Sequence, residues 1–173
     1  MTTTQVEHES LEAGDQGASP RVHHMFEIRA PRETVFNALT TTEGLSGWWT
    51  TGATAEGVAV GAHIDVTFRG PFNPHMRITE LDPPAYMGWE GIGGHDAWGA
   101  TTTIRFDLDA TSNGTVVRFR HDLGRELGGA VVAAANFNWG YYLDSLRLLC
   151  ETGHGKPFRA GTAGARVGAS EIG

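Results

Sequence analysis

The stretch AVVAAANFNWGYYLDSLRLLCE, Ala130 to Glu151, decides how the chain folds. It contains no proline. Ala135, Trp139, Tyr142/Leu143, Leu146 and Leu149/Cys150 recur at helical spacing, and Gly153 follows as a suitable stop. About 20 residues of helix make a rod roughly 30 Å long. A rod of that length with an apolar stripe needs a wall to lie against, and the residues upstream supply one.

Working back from the helix, the elements are short and alternate in hydrophobicity. Thr115–His121 (TVVRFRH) puts Val117, Phe119 and His121 on one face, and Thr101–Asp109 (TTTIRFDLD) does the same with Ile104, Phe106 and Leu108. Ser112-Asn113-Gly114 between them is a strong hairpin turn. Ala85–Glu90 reads as a shorter strand. His75–Leu81 (HMRITEL) ends at Asp82-Pro83-Pro84, and His63–Arg69 (HIDVTFR) carries Ile64, Val66 and Phe68 on one face. At the front, Val22, His24, Phe26 and Ile28 alternate up to Ala30-Pro31. Pro31 then suits the first helical position, with Glu33 in the first turn and Val35, Phe36 and Leu39 as the apolar stripe. Thr42 is placed to cap a second short helix, Glu43–Trp48. The order predicts an α+β fold: a curved antiparallel sheet wrapped around one long C-terminal helix, with two short helices after the first strand.

Composition narrows the function classes. A length of 173 residues suits one core. A net charge of −7 and a pI near 5.5, with Lys and Arg scattered, argue against nucleic acid as a partner. Cys150 is alone, so no internal disulfide forms, and no segment is apolar for long enough to insert in a membrane. A cytoplasmic protein is expected. Residues 1–20 and 159–173 are too poor in large apolar groups to pack and read as flexible tails around a domain of residues 21–158.

The pieces APRETVF (30–36), LTTTEGLSGWW (39–49), Asp82-Pro83 ahead of a strand with Trp89, His121-Asp122-Leu123-Gly124, Trp139 with Leu143 and Leu146, and Glu151-Thr152-Gly153 occur in one order. In that order the chain resembles the START-like helix-grip superfamily, and within it the family of activator-of-heat-shock-protein-90-ATPase homologues, over about residues 22–158. The resemblance implies a cavity between sheet and long helix that holds a small hydrophobic or amphipathic ligand. It equally implies two alternatives: an enzyme of cyclase, hydratase or hydrolase type, or a co-chaperone. Fold alone does not separate these. Association through exposed sheet edges into a homodimer is a further expectation.

Strand parity gives Phe68, Met76, Trp89, Phe106, Phe119 and His121 as the expected lining of that cavity, the long helix adds Phe137, Asn138, Tyr141 and Tyr142, and Trp48 and Trp98 join them at a mouth and as a lid. Adjacent residues point apart on a helix or strand, so Trp48 and Trp49 are expected to divide the work, Trp49 in the core and Trp48 nearer a cavity mouth. The alternative is that both simply pack. Gly91–Gly99 (GIGGHDAWG) lacks the order of a nucleotide-binding loop and reads as a connection, or as a gate with Trp98 as lid and His95 and Asp96 at the rim. For an enzyme, the groups available are His121, Tyr142, Glu90 and Asp96, with Glu90 and His121 as the first acid–base pair. His24 and His121 share inward parity on strands expected to pair, or each ring serves structure alone. The eight histidines have no helical metal spacing, Cys150 is a poor nucleophile, and no cofactor motif is present.

Overall fold

A computed structural model describes residues 19–160; the expectations about residues 1–18 and 161–173 lie outside the described residues. The elements are β1 (Arg21–Ile28), α1 (Arg32–Thr40), α2 (Thr42–Trp48), β2 (Thr54–Ala55), β3 (His63–Asp65), β4 (His75–Asp82), β5 (Tyr86–Gly93), a single 3₁₀ turn (Asp96–Trp98), β6 (Thr103–Ala110), β7 (Thr115–Asp122) and α3 (Gly129–Thr152). The seven strands form one antiparallel sheet in the order β1-β7-β6-β5-β4-β3-β2. The sheet curves without closing, and α3 packs on β1 and on both short helices.

The period-2 pattern sorts the sheet into two faces. Met76, Ile78, Met87, Trp89, Ile104, Phe106, Leu108, Val117 and Phe119 are buried on the concave side. The convex side is a lattice of opposite charges: Arg105 with Asp107 and Glu80, Arg77 with Glu90, Arg118 with Asp109, and Arg120 with Asp122. These paired, partly exposed charges leave that face to water.

Several boundaries differ from the sequence expectation. The cap of α2 is Thr41, whose Oγ1 accepts from Gly44 N at 3.0 Å; Thr42 instead accepts from Ala55 N at 2.9 Å and ties in β2. Strand β3 stops at Asp65, because the facing residue past its end is Pro74. Val66 N donates to Pro74 O at 3.1 Å, but proline has no N–H to return the bond. The turn after Ala110 forms as read, with Thr111 N donating to Gly114 O at 2.8 Å. Gly153 ends α3 in the left-handed region at φ 79°.

The short helices are clamped by backbone approach. A Cβ on Gly44 would lie 2.5 Å from Ala38 Cα, so α1 and α2 cross where only glycine fits. Ser145 of α3 is fully buried and donates to Trp48 O at 2.8 Å. The same hydroxyl accepts from Lys156 N at 2.6 Å, which fixes the return of the chain after α3. That return places Phe158 beside Thr50, its N–H on Trp49 O at 2.9 Å.

Candidate functional site

All five tryptophans of the chain belong to one ring network centred on Trp49. Its ring centroid is 5.4 Å from Trp48, 5.7 Å from Trp89, 6.4 Å from Trp98 and 5.4 Å from Trp139. Phe119 meets Trp139 at 4.5 Å and Phe106 at 5.1 Å, and Phe106 meets Trp89 at 5.3 Å. Offset and edge contacts of this kind are the favoured aromatic geometries. A second group of rings continues it: Phe68 touches Phe72, Tyr142 and Phe158, and Phe72 stands edge-on to Trp98 at 4.9 Å.

Trp48 does not stand at a mouth. It is completely buried, stacked within 6° of Trp49, and its Nε1 donates to Ala38 O at 2.9 Å. Helix α2 ends between the two residues, and Trp49 is its C-cap, so both rings turn into the same core. Phe137 is also misplaced as a liner: it is 67% exposed on the outer side of α3. The inward positions of α3 are Ala135, Trp139, Tyr142, Leu143 and Leu146. Asn138 and Tyr141 are half-buried beside that stripe, with Tyr141 edge-on to Tyr142 at 5.2 Å. Met76, Trp89, Trp98, Phe106, Phe119, His121 and Tyr142 are inward and buried, and Phe68 is half-buried among the rings.

His121 is held from both sides of its ring. Trp139 Nε1 donates to His121 Nδ1 at 2.8 Å, so the ring proton sits on Nε2, which donates to Thr102 Oγ1 at 2.5 Å. Burial, and after it the neighbouring His95, pushes the imidazole down to about 3. With both nitrogens engaged and the ring neutral, His121 is not placed to take a proton from a substrate. Glu90 points to the opposite face of the sheet and pairs with Arg77, so the acid–base pair expected from sequence does not form. His24 faces Phe119, with centroids 6.1 Å apart, rather than His121. Burial, and after it Glu151, pushes the Cys150 thiol up to about 12, which makes it a poor nucleophile. Among the described residues, no group of three or more His, Cys, Asp or Glu is arranged to hold a metal ion.

The segment after β5 lies over the ring network. Trp98 is buried, edge-on to His121 at 4.8 Å. His95 is buried too and begins the 3₁₀ turn, its carbonyl accepting from Trp98 N at 2.7 Å, so it is not a rim residue. Gly94 and Gly99, at φ 64° and 86°, bracket the turn in the left-handed region. Three bonds hold it down: Asn73 N to Gly94 O, Gly124 N to Trp98 O, and Ala100 N to Glu126 Oε1. Within this closed region two buried ring nitrogens, Trp89 Nε1 and His95 Nδ1, have no hydrogen-bond partner among the described residues.

Sequence reading missed Trp139, Phe72, Phe158 and Thr102 as parts of this site. Trp139 was legible, since it lies in the apolar stripe of the long helix. The other three come together only through loops.

An open antiparallel sheet gripping a C-terminal helix, with an aromatic interior, defines the START-like helix-grip class. The chain belongs to the family described as activator of Hsp90 ATPase homolog 1-like protein, whose pattern matches residues 29–151. It is similar to the Aha1 dimer from Colwellia psychrerythraea, whose solution structure is 34% identical with a TM-score of 0.69, over 78% of this chain and 98% of that one. Two further structures share the fold at 18% identity. Protein MLL2253 from Mesorhizobium loti has a TM-score of 0.64 over 75% of this chain and 95% of that one. DynU16, a putative protein in the dynemicin biosynthetic locus, has a TM-score of 0.66 over 79% of this chain and 49% of that one. No curated protein matches the chain. No helix among the described residues is long and apolar enough to cross a membrane.

Proposed function

We propose that the protein binds a small, flat, largely apolar molecule between the sheet and α3, admitted when Trp98 and its turn lift away. The observation that carries this reading is the pair of buried, unpartnered nitrogens, Trp89 Nε1 and His95 Nδ1, inside an otherwise aromatic interior. A buried polar atom left unpaired costs about 1–3 kcal/mol. A ligand that stacks on the indoles and brings one polar atom to either nitrogen would recover that cost. An apolar pocket with one or two placed polar groups is the usual form of a small-molecule site. The left-handed glycines on either side of the turn supply hinge points for such a movement.

The test is native mass spectrometry of freshly purified protein, followed by thermal unfolding with a panel of aromatic and amphipathic compounds. A ligand present at 100 times its dissociation constant adds about 2.7 kcal/mol. For a domain of this size that raises the Tm by about 5–10 °C. A protein that carries no co-purified mass and is stabilised by none of several hundred lipophiles does not have this function.

The 34%-identical Colwellia relative is described as a dimer. That supports reading this chain as a homodimer as well.

A further inference from the structure

We propose that the free edge of β1 pairs with the same edge of a second copy, antiparallel, about a two-fold axis at His24. The proposal rests on the homodimer reading and assigns its surface and register. Leu123 N donates to Pro20 O at 2.8 Å, which marks a hydrogen-bonded pair one step beyond the Arg21–Asp122 register. Such pairs alternate along an antiparallel ladder. Val22, His24, Phe26 and Ile28 therefore aim their backbone groups at β7, while Arg21, His23, Met25 and Glu27 aim theirs away. Among the described residues no strand pairs on that side. The strand has no proline and no bulge, two of the devices that usually blunt an edge.

The exposed row reads Arg21, His23, Met25, Glu27, and it is complementary to itself; Arg21, which pairs with Asp122 of its own β7 at 2.5 Å, keeps a half-exposed side chain that reaches across the edge. An axis at His24 sets Arg21 of each copy against Glu27 of the other, and His23 against Met25, with two backbone bonds per pair. Glu27 has no cationic partner among the described residues, and Met25 is 71% exposed. An axis at Met25 would instead oppose Arg21 to Arg29, and an axis at His23 would leave Glu27 beyond the paired strands. The surroundings leave room. A groove of about 590 Å³ runs beside the edge between Arg21, Val22, Val132, Ala133 and Asn136. Joined strands lie about 4.8 Å apart and packed helices about 8–10 Å apart. Two copies of α3, each packed on its own β1, would then meet side by side over the joined edge.

Sedimentation of the full chain tests this, with three variants. Met25→Pro removes one outward N–H and leaves the ladder to β7 intact, because proline is tolerated where the N–H faces away from the sheet. It is expected to sediment as a monomer with its circular dichroism unchanged. Glu27→Lys and Arg21→Glu should each raise the dimer dissociation constant at least tenfold. An equimolar mixture of the two should restore dimers, because both cross-pairs then have opposite charge; this arm decides the matter if the proline variant does not fold. A wild-type chain that stays monomeric overturns the homodimer reading itself. A dimer indifferent to all three variants overturns the edge while leaving that reading in place. Weakening without rescue on mixing overturns the register.

Discussion

Trp139 hands its indole N–H to His121 Nδ1 at 2.8 Å, joining the middle of α3 to the last strand through a neutral, fully buried ring. The bond makes the histidine an acceptor, and an acceptor cannot also carry a proton at that atom.

Acid should therefore loosen the fold early. The folded protein keeps His121 unprotonated to about pH 3, whereas the unfolded chain takes up the proton near 6.5. Between those values the unfolded state binds more protons. The stability contribution is complete above about pH 6.5 and declines as pH falls toward 3, by at most about 1.4 kcal/mol per pH unit. His121→Gln keeps an acceptor for Trp139 and a donor for Thr102 but does not titrate. Melting temperatures at pH 7 and pH 5 should differ clearly for the wild type and much less for this variant; equal slopes would show that other groups govern the decline.

Trp98→Ala should lower the stability of the empty protein by about 3–5 kcal/mol, the cost of truncating a buried tryptophan. Because the void falls where the ligand is proposed to sit, an aromatic compound that stabilises the wild type should stabilise this variant by more. Thermal unfolding with and without the compound measures both effects.

Gly44→Ala should cost about 1–3 kcal/mol. The added methyl meets backbone, 2.5 Å from Ala38 Cα and 2.6 Å from its carbonyl oxygen, and that same oxygen receives the Trp48 indole. Urea unfolding should show a lower midpoint with an unchanged slope.

Ser145→Ala strands two backbone groups at once, the buried Trp48 carbonyl and the part-buried Lys156 N–H. A loss of about 1–3 kcal/mol is expected. Hydrogen exchange at Lys156 should quicken more than exchange in the middle of α3, since the hydroxyl is what anchors the returning chain.

Periodicity carried most of the fold. Val117, Phe119 and His121, or Ile104, Phe106 and Leu108, can alternate only as a half-buried strand, and α3 shows its buried stripe from Ala134 to Leu146. Boundaries were less legible where neighbours are chemically alike. Thr40, Thr41 and Thr42 offer three equivalent hydroxyls, and only backbone geometry selects Thr41. The site was read in part. Choosing Phe137 and Asn138 over Trp139 turned α3 by a fraction of a helical turn away from its own apolar stripe. Parity holds only within one regular element, and α2 ends between Trp48 and Trp49. The 3₁₀ turn is too short to show a period, and the approach of Phe158 to Thr50 is a contact between distant parts of the chain with no local signature.

The indole network has an optical consequence. Rings linked at 5.4 to 6.4 Å, several of them nearly parallel, share their excited states and hand excitation to whichever indole lies lowest in energy. Near-ultraviolet ellipticity and emission colour then report on the assembly as a unit, so withdrawing Trp98 alone alters the spectrum of all five. The protein carries its own gauge of whether its interior is shut.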